Sequence, residues 1–224
     1  LPLQPRRLLR DYAAIGANPR FQRLAAAGAL NFAGMFLYIA SAPAFLMDLL
    51  GLGEREFAWL FIPTIGGMTL GAFLSGRLAG RWPPGRQVGA GFACSATAAA
   101  LNVAYNVLAP AIAVPWAVLP MSLFAFGVAL VFPVLTLAIL DMYPRQRGAA
   151  SSLQAFFQLV LNSLVAGLLS PLLSHHGLHL ALGMAAFVAG GWAIWRWESS
   201  VARRARPPAS PPPSGPMIEP GEQL

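Results

Sequence analysis

Ser151, Gln154, Gln158 and Asn162 follow i, i+3, i+7 and i+11 spacing, which lays them along one stripe of a helix. They stand in a run, residues 149–172, that contains no Asp, Glu, Lys or Arg. An amide turned toward lipid leaves its donors and acceptor unmet, so this stripe must face protein or water. Two readings remain open: interhelical hydrogen-bond glue, worth ~0.6–2 kcal/mol per contact, or the polar wall of a substrate cavity. A second set, Asn31, Met35 and Tyr38, shares a face within residues 24–47, with Ser41 and Pro43 above it. Methionine and aromatic side chains that can repack suit a permissive ligand site, but on the residues alone plain helix packing is the preferred reading. Asn102 and Asn106 read as structural.

The chemistry that is missing narrows the field further. No nucleophile–base pair and no phosphate-cradling loop can be assembled from the sequence, so no catalytic residues are assigned and the chain does not read as an enzyme. His175, His176 and His179 form HHGLH, but Gly177 and the lack of a nearby carboxylate make them loop histidines, with no metal site and no cofactor expected. The single cysteine, Cys94, sits in an apolar run. No uncharged run carries an acid or base in its interior, although a proton relay or ion site usually needs one. Asp48 and Asp141 lie at run ends, and Asp141 reads as an interfacial charge beside Arg145 and Arg147. Whatever energises the molecule is therefore expected to lie partly outside this chain.

The elements that position these residues are membrane helices. Of 224 residues, 57% are hydrophobic and only 10% charged, where a soluble domain carries about 25% charge. Six uncharged runs, at about 24–47, 57–76, 88–109, 115–140, 149–172 and 178–195, each have roughly the length that spans a bilayer. Fourteen of the fifteen basic residues, all arginine, fall in the lead-in, in 77–86, at 145 and 147, and after 195; only Arg55 falls on the other side. Basic loops resist translocation, so both termini are expected in the cytoplasm. Trp82, Trp192, Trp195 and Trp197 gather at the same inner level, and Trp59 and Trp116 at the outer one. The +7 charge lies in short loops between apolar runs, which fits a lipid bilayer surface and not nucleic acid.

In the second run Gly67, Gly71 and Ser75 recur every four residues, leaving one face nearly bare backbone, as where two membrane helices approach closely. That face is expected to be open in this chain and to dock on a helix supplied from outside it. Pro43 and Pro133 lie about equally far into the first and fourth runs, which run in opposite directions, as two inverted three-helix repeats require. The chain divides into a basic lead-in (1–23), holding a short LLRDYAAI helix, a six-helix unit (24–197), and a proline-rich tail (198–224) expected to be disordered.

The turn GRLAGRWPPGR resembles the loop between the second and third helices of each half of major facilitator superfamily transporters. Gly76, Leu78, Arg81, Gly85 and Arg86 match, with Arg77 beside them, one extra residue before Gly85, and Gly80 where the family often has Asp. DYAAIGANPRFQRLAAAGALNFAGMFLYIASAPAFL is similar to the approach to the seventh helix of bicyclomycin-resistance (Bcr/CflA) type drug:proton antiporters, through Tyr12, Arg20, Phe21, Phe32, Ala33, Gly34, Tyr38 and Pro43. RGAASSLQAF, Arg147 to Phe156, resembles the start of their eleventh helix. The resemblance implies an all-α fold of six transmembrane helices, one half of a major facilitator fold. It would be the C-terminal half, behind a remnant of the central loop, with an N-terminal six-helix half as its missing partner. It implies alternating access in a bacterial inner membrane, and proton-coupled efflux of a small amphipathic substrate. The first and fourth spans would line the cavity, Phe126 among them, the second and fifth would meet the other half, and the third and sixth would face lipid. A metabolite transporter of the same superfamily, or a truncated membrane piece without transport activity, are the alternatives.

Overall fold

The structure, a computed structural model, describes residues 5–109 and 112–204. The described elements are helical. In order they are α1 (Pro5–Gly16), α2 (Pro19–Ala40), α3 (Ala58–Leu78), α4 (Pro84–Leu108), α5 (Leu119–Met142), α6 (Arg147–Leu164), α7 (Ser170–Leu173) and α8 (Gly177–Arg204). Six of the resulting rods are long and apolar enough to cross a membrane, with α6 and α7 joined into one. Helices are the expected solution, because a backbone in hydrocarbon must satisfy its own hydrogen bonds.

Local chemistry sets the helix starts. Asn18 caps α2 by accepting from the Arg20 amide at 2.9 Å, and Pro19 occupies the first turn, where its missing N–H costs nothing. The same Asn18 side chain donates to the Tyr143 hydroxyl at 2.8 Å, pinning the start of the first span to the end of the fourth. Prolines likewise open α4 and α5. Between α3 and α4, Gly80 adopts φ +76°, a left-handed turn that glycine makes without strain. Glycine thus stands at a point of the turn where the backbone itself favours it.

Two spans are interrupted. After Pro43 the first span continues as a π-helical segment, Ala44–Leu49, and the fifth widens into a π-helical segment at Val165–Leu169, just before Pro171. A proline removes a backbone donor and crowds the preceding turn, and π-bulges are a usual accommodation. Ser41 and Ser170 share a buried hydrogen bond at 2.8 Å, so the two interruptions are joined.

The fourth span, α5, packs chiefly on α3 and α4; the first, α2, packs chiefly on α8 and on the fifth span; α2 and α5 also touch. Exchanging first with fourth, second with fifth and third with sixth maps these pairings onto one another, the pattern of two inverted three-helix repeats. The core runs along α2 and α5 through Phe21, Met35, Leu37, Tyr38, Phe124, Leu135 and Ile139. The second and fifth spans are the least covered. Ile62, Ile65, Leu70 and Phe73 on α3, and Phe156, Leu159, Leu164 and Leu168 along the fifth span, are exposed.

Two expectations need correction. The Gly67–Gly71 face is not open. A Cβ built at Gly67 would collide with the Ser122 carbonyl oxygen, and one at Gly71 would lie 2.5 Å from the Phe126 carbonyl oxygen and 2.9 Å from Ala129 Cβ. The glycines let α3 and α5 approach backbone to backbone within this six-helix unit, and the small-residue pattern alone could not say which helix was the partner. The second correction is the boundary at 197. α8 continues through Arg204, and Glu198 is 5% exposed. The segment 198–204 is therefore helical, held by that buried carboxylate; residues 205–224 of the tail lie outside the described residues.

Candidate functional site

Where the first, fourth and fifth spans meet, a polar and aromatic wall is left half-buried. On α6, Gln154 donates through Nε2 to Thr136 Oγ1 of α5 at 2.9 Å, while its Oε1 is enclosed and has no partner. Gln158 donates to Asn162 Oδ1 at 3.0 Å, one turn along the same helix, and both are half-buried. Gln154, Gln158 and Asn162 therefore lie together on one side of the fifth span, with Ser151 exposed at its start. Across from them, Phe132 stands one turn before Thr136 on α5. Its ring lies 6.3 Å from Phe32 of α2, which stacks on Phe36 at 6.2 Å. Amides on one side and half-open aromatic rings on the other make a surface that can hold an amphipathic molecule. Rings supply apolar area, and the amides supply directional hydrogen bonds.

Sequence reasoning passed over Phe32 as a cavity residue, and Phe36, Phe132 and Thr136 altogether. The signals were present: two aromatics one turn apart on α2, and an aromatic directly before Pro133. An aromatic in a membrane helix is ordinary, however, and only the packing shows these three rings to be neighbours.

Asn31, Met35 and Tyr38 are placed elsewhere, inside the unit's own packing between the first, third and sixth spans. Tyr38 is fully buried; its hydroxyl accepts from Asn102 Nδ2 at 2.6 Å, and its ring meets Phe45 edge-on at 5.1 Å. The Asn102 amide also points at Met184 Sδ on α8, 3.7 Å away. Asn31 is 1% exposed and neither of its amide atoms has a partner. Ser41 is buried against Ser170. Phe126 is half-buried, and its carbonyl oxygen lies against Gly71. The polar residues turned inward here come from the first and third spans, Asn31, Tyr38 and Asn102, and the sixth meets them with Met184.

The arginine-rich end holds the motif loop. The Arg77 guanidinium lies over the Phe73 ring at 4.7 Å and that of Arg86 over the Trp82 ring at 4.5 Å, so each charge rests on an aromatic face. Ser75, the last small residue of the α3 stripe, accepts from Gln87 Nε2 at 2.7 Å, and the same Gln87 nitrogen reaches the Leu130 carbonyl at 3.3 Å. One buried amide therefore fixes the loop's exit against α3 and α5. Gly76 and Gly85 line, with Gln87, Trp82, Pro133 and Glu198, a cleft of about 1040 Å³ at this end; Arg81 is exposed.

Glu198 is the residue that sequence reasoning misplaced. It pairs with Arg23 Nε at 2.6 Å and Arg20 Nε at 3.2 Å, joining the end of α8 to the start of α2. Arg23 also lies over the Trp197 ring, 5.4 Å from its centroid. The clue was an arginine pair at i, i+3 opposite a lone carboxylate that follows an apolar run. Asp141, by contrast, pairs with Arg147 at 3.0 Å with both side chains well exposed, an interfacial pair. His176 and His179 meet ring to ring at 4.9 Å, and no cluster suited to a metal occurs among the described residues.

A family model, the Major Facilitator Superfamily, matches residues 24–219. The chain is 30% identical over 135 residues to the multidrug resistance protein MdtM of Escherichia coli O157:H7, a stretch covering 60% of this chain and 33% of that protein. It is 29% identical over 135 residues to MdtM of Salmonella typhimurium, covering 60% and 32%. It is also 34% identical over 122 residues to the multidrug transporter MdfA of Edwardsiella piscicida, covering 54% and 29%. The matched stretch is about a third of the length of these relatives.

Proposed function

The chain belongs to the Major Facilitator Superfamily and is a multi-pass membrane protein, and on that premise we propose that it is the C-terminal six-helix half of a Bcr/CflA-type drug exporter. In this reading it lies in a bacterial inner membrane with both termini in the cytoplasm. The exposed faces of the second and fifth spans meet an N-terminal six-helix half, and the two halves rock about a midplane cavity. The substrate is a small amphipathic drug, in keeping with relatives named as multidrug proteins. Protons drive the export. No span of this chain offers an interior carboxylate, so the proton-carrying group is assigned to the other half. The chain moves a solute and breaks no bond.

The observation that carries the reading is Gln154. An amide oxygen is enclosed without a partner on a span that also carries Gln158 and Asn162, and the Thr136 that Gln154 meets stands one turn from Phe132, whose ring neighbours Phe32. Leaving such an acceptor unmet costs roughly 1–3 kcal/mol, so a donor from water or substrate at Gln154 would be favoured. Cysteines placed at Gln158 and Asn162 in the assembled transporter should react with a polar thiol reagent, and an amphipathic cation such as ethidium should slow that reaction severalfold. A cysteine at the packed Met35 should stay unreactive. Reaction at Met35 with none at Gln158 would remove the wall from the substrate path.

The orientation has its own test. A reporter active only in the cytoplasm should work when fused after Arg86 and after Arg206, and should fail within 174–179. The reverse pattern would overturn the assignment made from the arginine distribution.

A further inference from the structure

The last turns of α8 carry a basic stripe that nothing in the transport reading uses. Arg196, Ser199 and Arg203 follow i, i+3, i+7 spacing and so share one face. With Trp195, Ala202 and Gly85 they line a cleft of about 360 Å³ between the end of α8 and the first turn of α4. The charges here are not spent on protein. Arg20, Arg23 and Arg147 pair with carboxylates, whereas among the described residues neither Arg196 nor Arg203 does; Arg203 reaches only Ser200 Oγ, at 3.4 Å. Both arginines are exposed. The Ser199 hydroxyl already donates to the Trp195 carbonyl at 2.8 Å, which leaves recognition of charge to the arginines.

The floor of the cleft is aromatic. The Trp195 ring lies 5.9 Å from Phe92 and closes over Gly89, where an added Cβ would lie 3.3 Å from the indole. One turn deeper the surface of α8 is apolar, with Ala193 exposed and Ile194 half-buried. The cleft therefore sits where hydrocarbon gives way to water, at the level where indoles settle and arginines meet headgroups. A cationic rim over an aromatic floor, opening toward the bilayer, has the chemistry of a lipid headgroup site.

We infer that this cleft binds an anionic phospholipid, its phosphate held between Arg196 and Arg203 and its acyl chains laid along the apolar faces of α8 and α4. Two guanidiniums without a carboxylate partner among the described residues favour a headgroup with net negative charge over a zwitterionic one, whose ammonium they repel. The site joins α4 to α8 from outside, at the end where Glu198 joins α8 to α2.

The test uses the full chain extracted in mild detergent, with lipid retention read by native mass spectrometry. Phosphatidylglycerol should be retained in preference to phosphatidylcholine of the same acyl chains. The pair Arg196→Gln with Arg203→Gln should lower its apparent affinity about tenfold. The pair Arg10→Gln with Arg145→Gln, which removes the same charge from exposed positions elsewhere, should leave it unchanged. If the first pair does not elute as a single species, Arg203→Gln alone should still show a loss of about threefold, the square root of the double effect when two sites contribute equally. Equal losses in the two pairs would mean diffuse attraction and overturn the site, as would no preference in the unaltered chain. Displacement of the lipid by inorganic phosphate at matched concentration would show a water-phase anion site and overturn the lipid assignment.

Discussion

Gly67→Leu is expected to unfold the six-helix unit on its own, without reference to any partner. The Cβ alone would collide with the Ser122 carbonyl oxygen, and a leucine adds three more carbons. Relief requires α3 to move off α5 along its whole length, because Gly71 and Ser75 lie on the same stripe and are buried with it. Overpacking a close-fitted interior costs about 1–3 kcal/mol and more where backbone blocks the way, and here the obstruction is backbone. The chain produced alone should aggregate on extraction or melt well below the unaltered protein. Gly66→Leu, one residue away with nothing within 4 Å of an added Cβ, should elute and melt normally. Normal behaviour of Gly67→Leu would mean that α3 and α5 do not meet here and would restore the open glycine face read from the sequence.

The second large effect is expected at the arginine-rich end. Glu198→Ala leaves Arg23, whose side chain is 18% exposed, facing a hole where its carboxylate stood. Removing one member of a buried, hydrogen-bonded pair is strongly destabilising, since the other charge stays desolvated. Arg23 lies near an interface and can reach water, so the loss should fall toward the low end, about 2–3 kcal/mol. Asp141→Ala breaks a pair whose side chains are 59% and 68% exposed and should change stability by less than about 1 kcal/mol. Melting the two variants side by side in detergent checks both values. Equal, small shifts would show that Glu198 does not hold α8 to α2.

Much of the fold was legible because a membrane helix announces itself by length and by the lack of charge, and both are counted directly from a sequence. Five of the six spans came out within about five residues at each end, while the sixth runs on from 195 to Arg204. The misreadings share one physical cause. A small residue, an amide or a carboxylate specifies that something must come close, and does not say what. Gly67 and Gly71 read as a packing face with a helix from outside the chain, whereas their neighbours are on α5 of the same unit. Asn31 and Tyr38 share a face of the first span that only the family resemblance made a cavity wall, and the structure turns them toward α4 and α8. Glu198 was given to the tail because prolines follow it, and its two arginines stand 175 and 178 residues earlier in the sequence. Gln158 and Asn162 hydrogen-bond one turn apart, as helical periodicity fixes neighbours along one helix. The phenylalanines that complete the wall come from two other helices, which periodicity cannot relate.

The central claim is that this chain is part of an exporter of amphipathic drugs, and dye accumulation in living cells tests it most directly. Cells producing the gene product that contains this chain should accumulate ethidium severalfold less than cells lacking it. A protonophore should erase the difference, and Gln158→Leu should weaken it without lowering the amount of protein in the membrane. Equal accumulation in the two strains, with the protein present and folded in the membrane, would contradict the account.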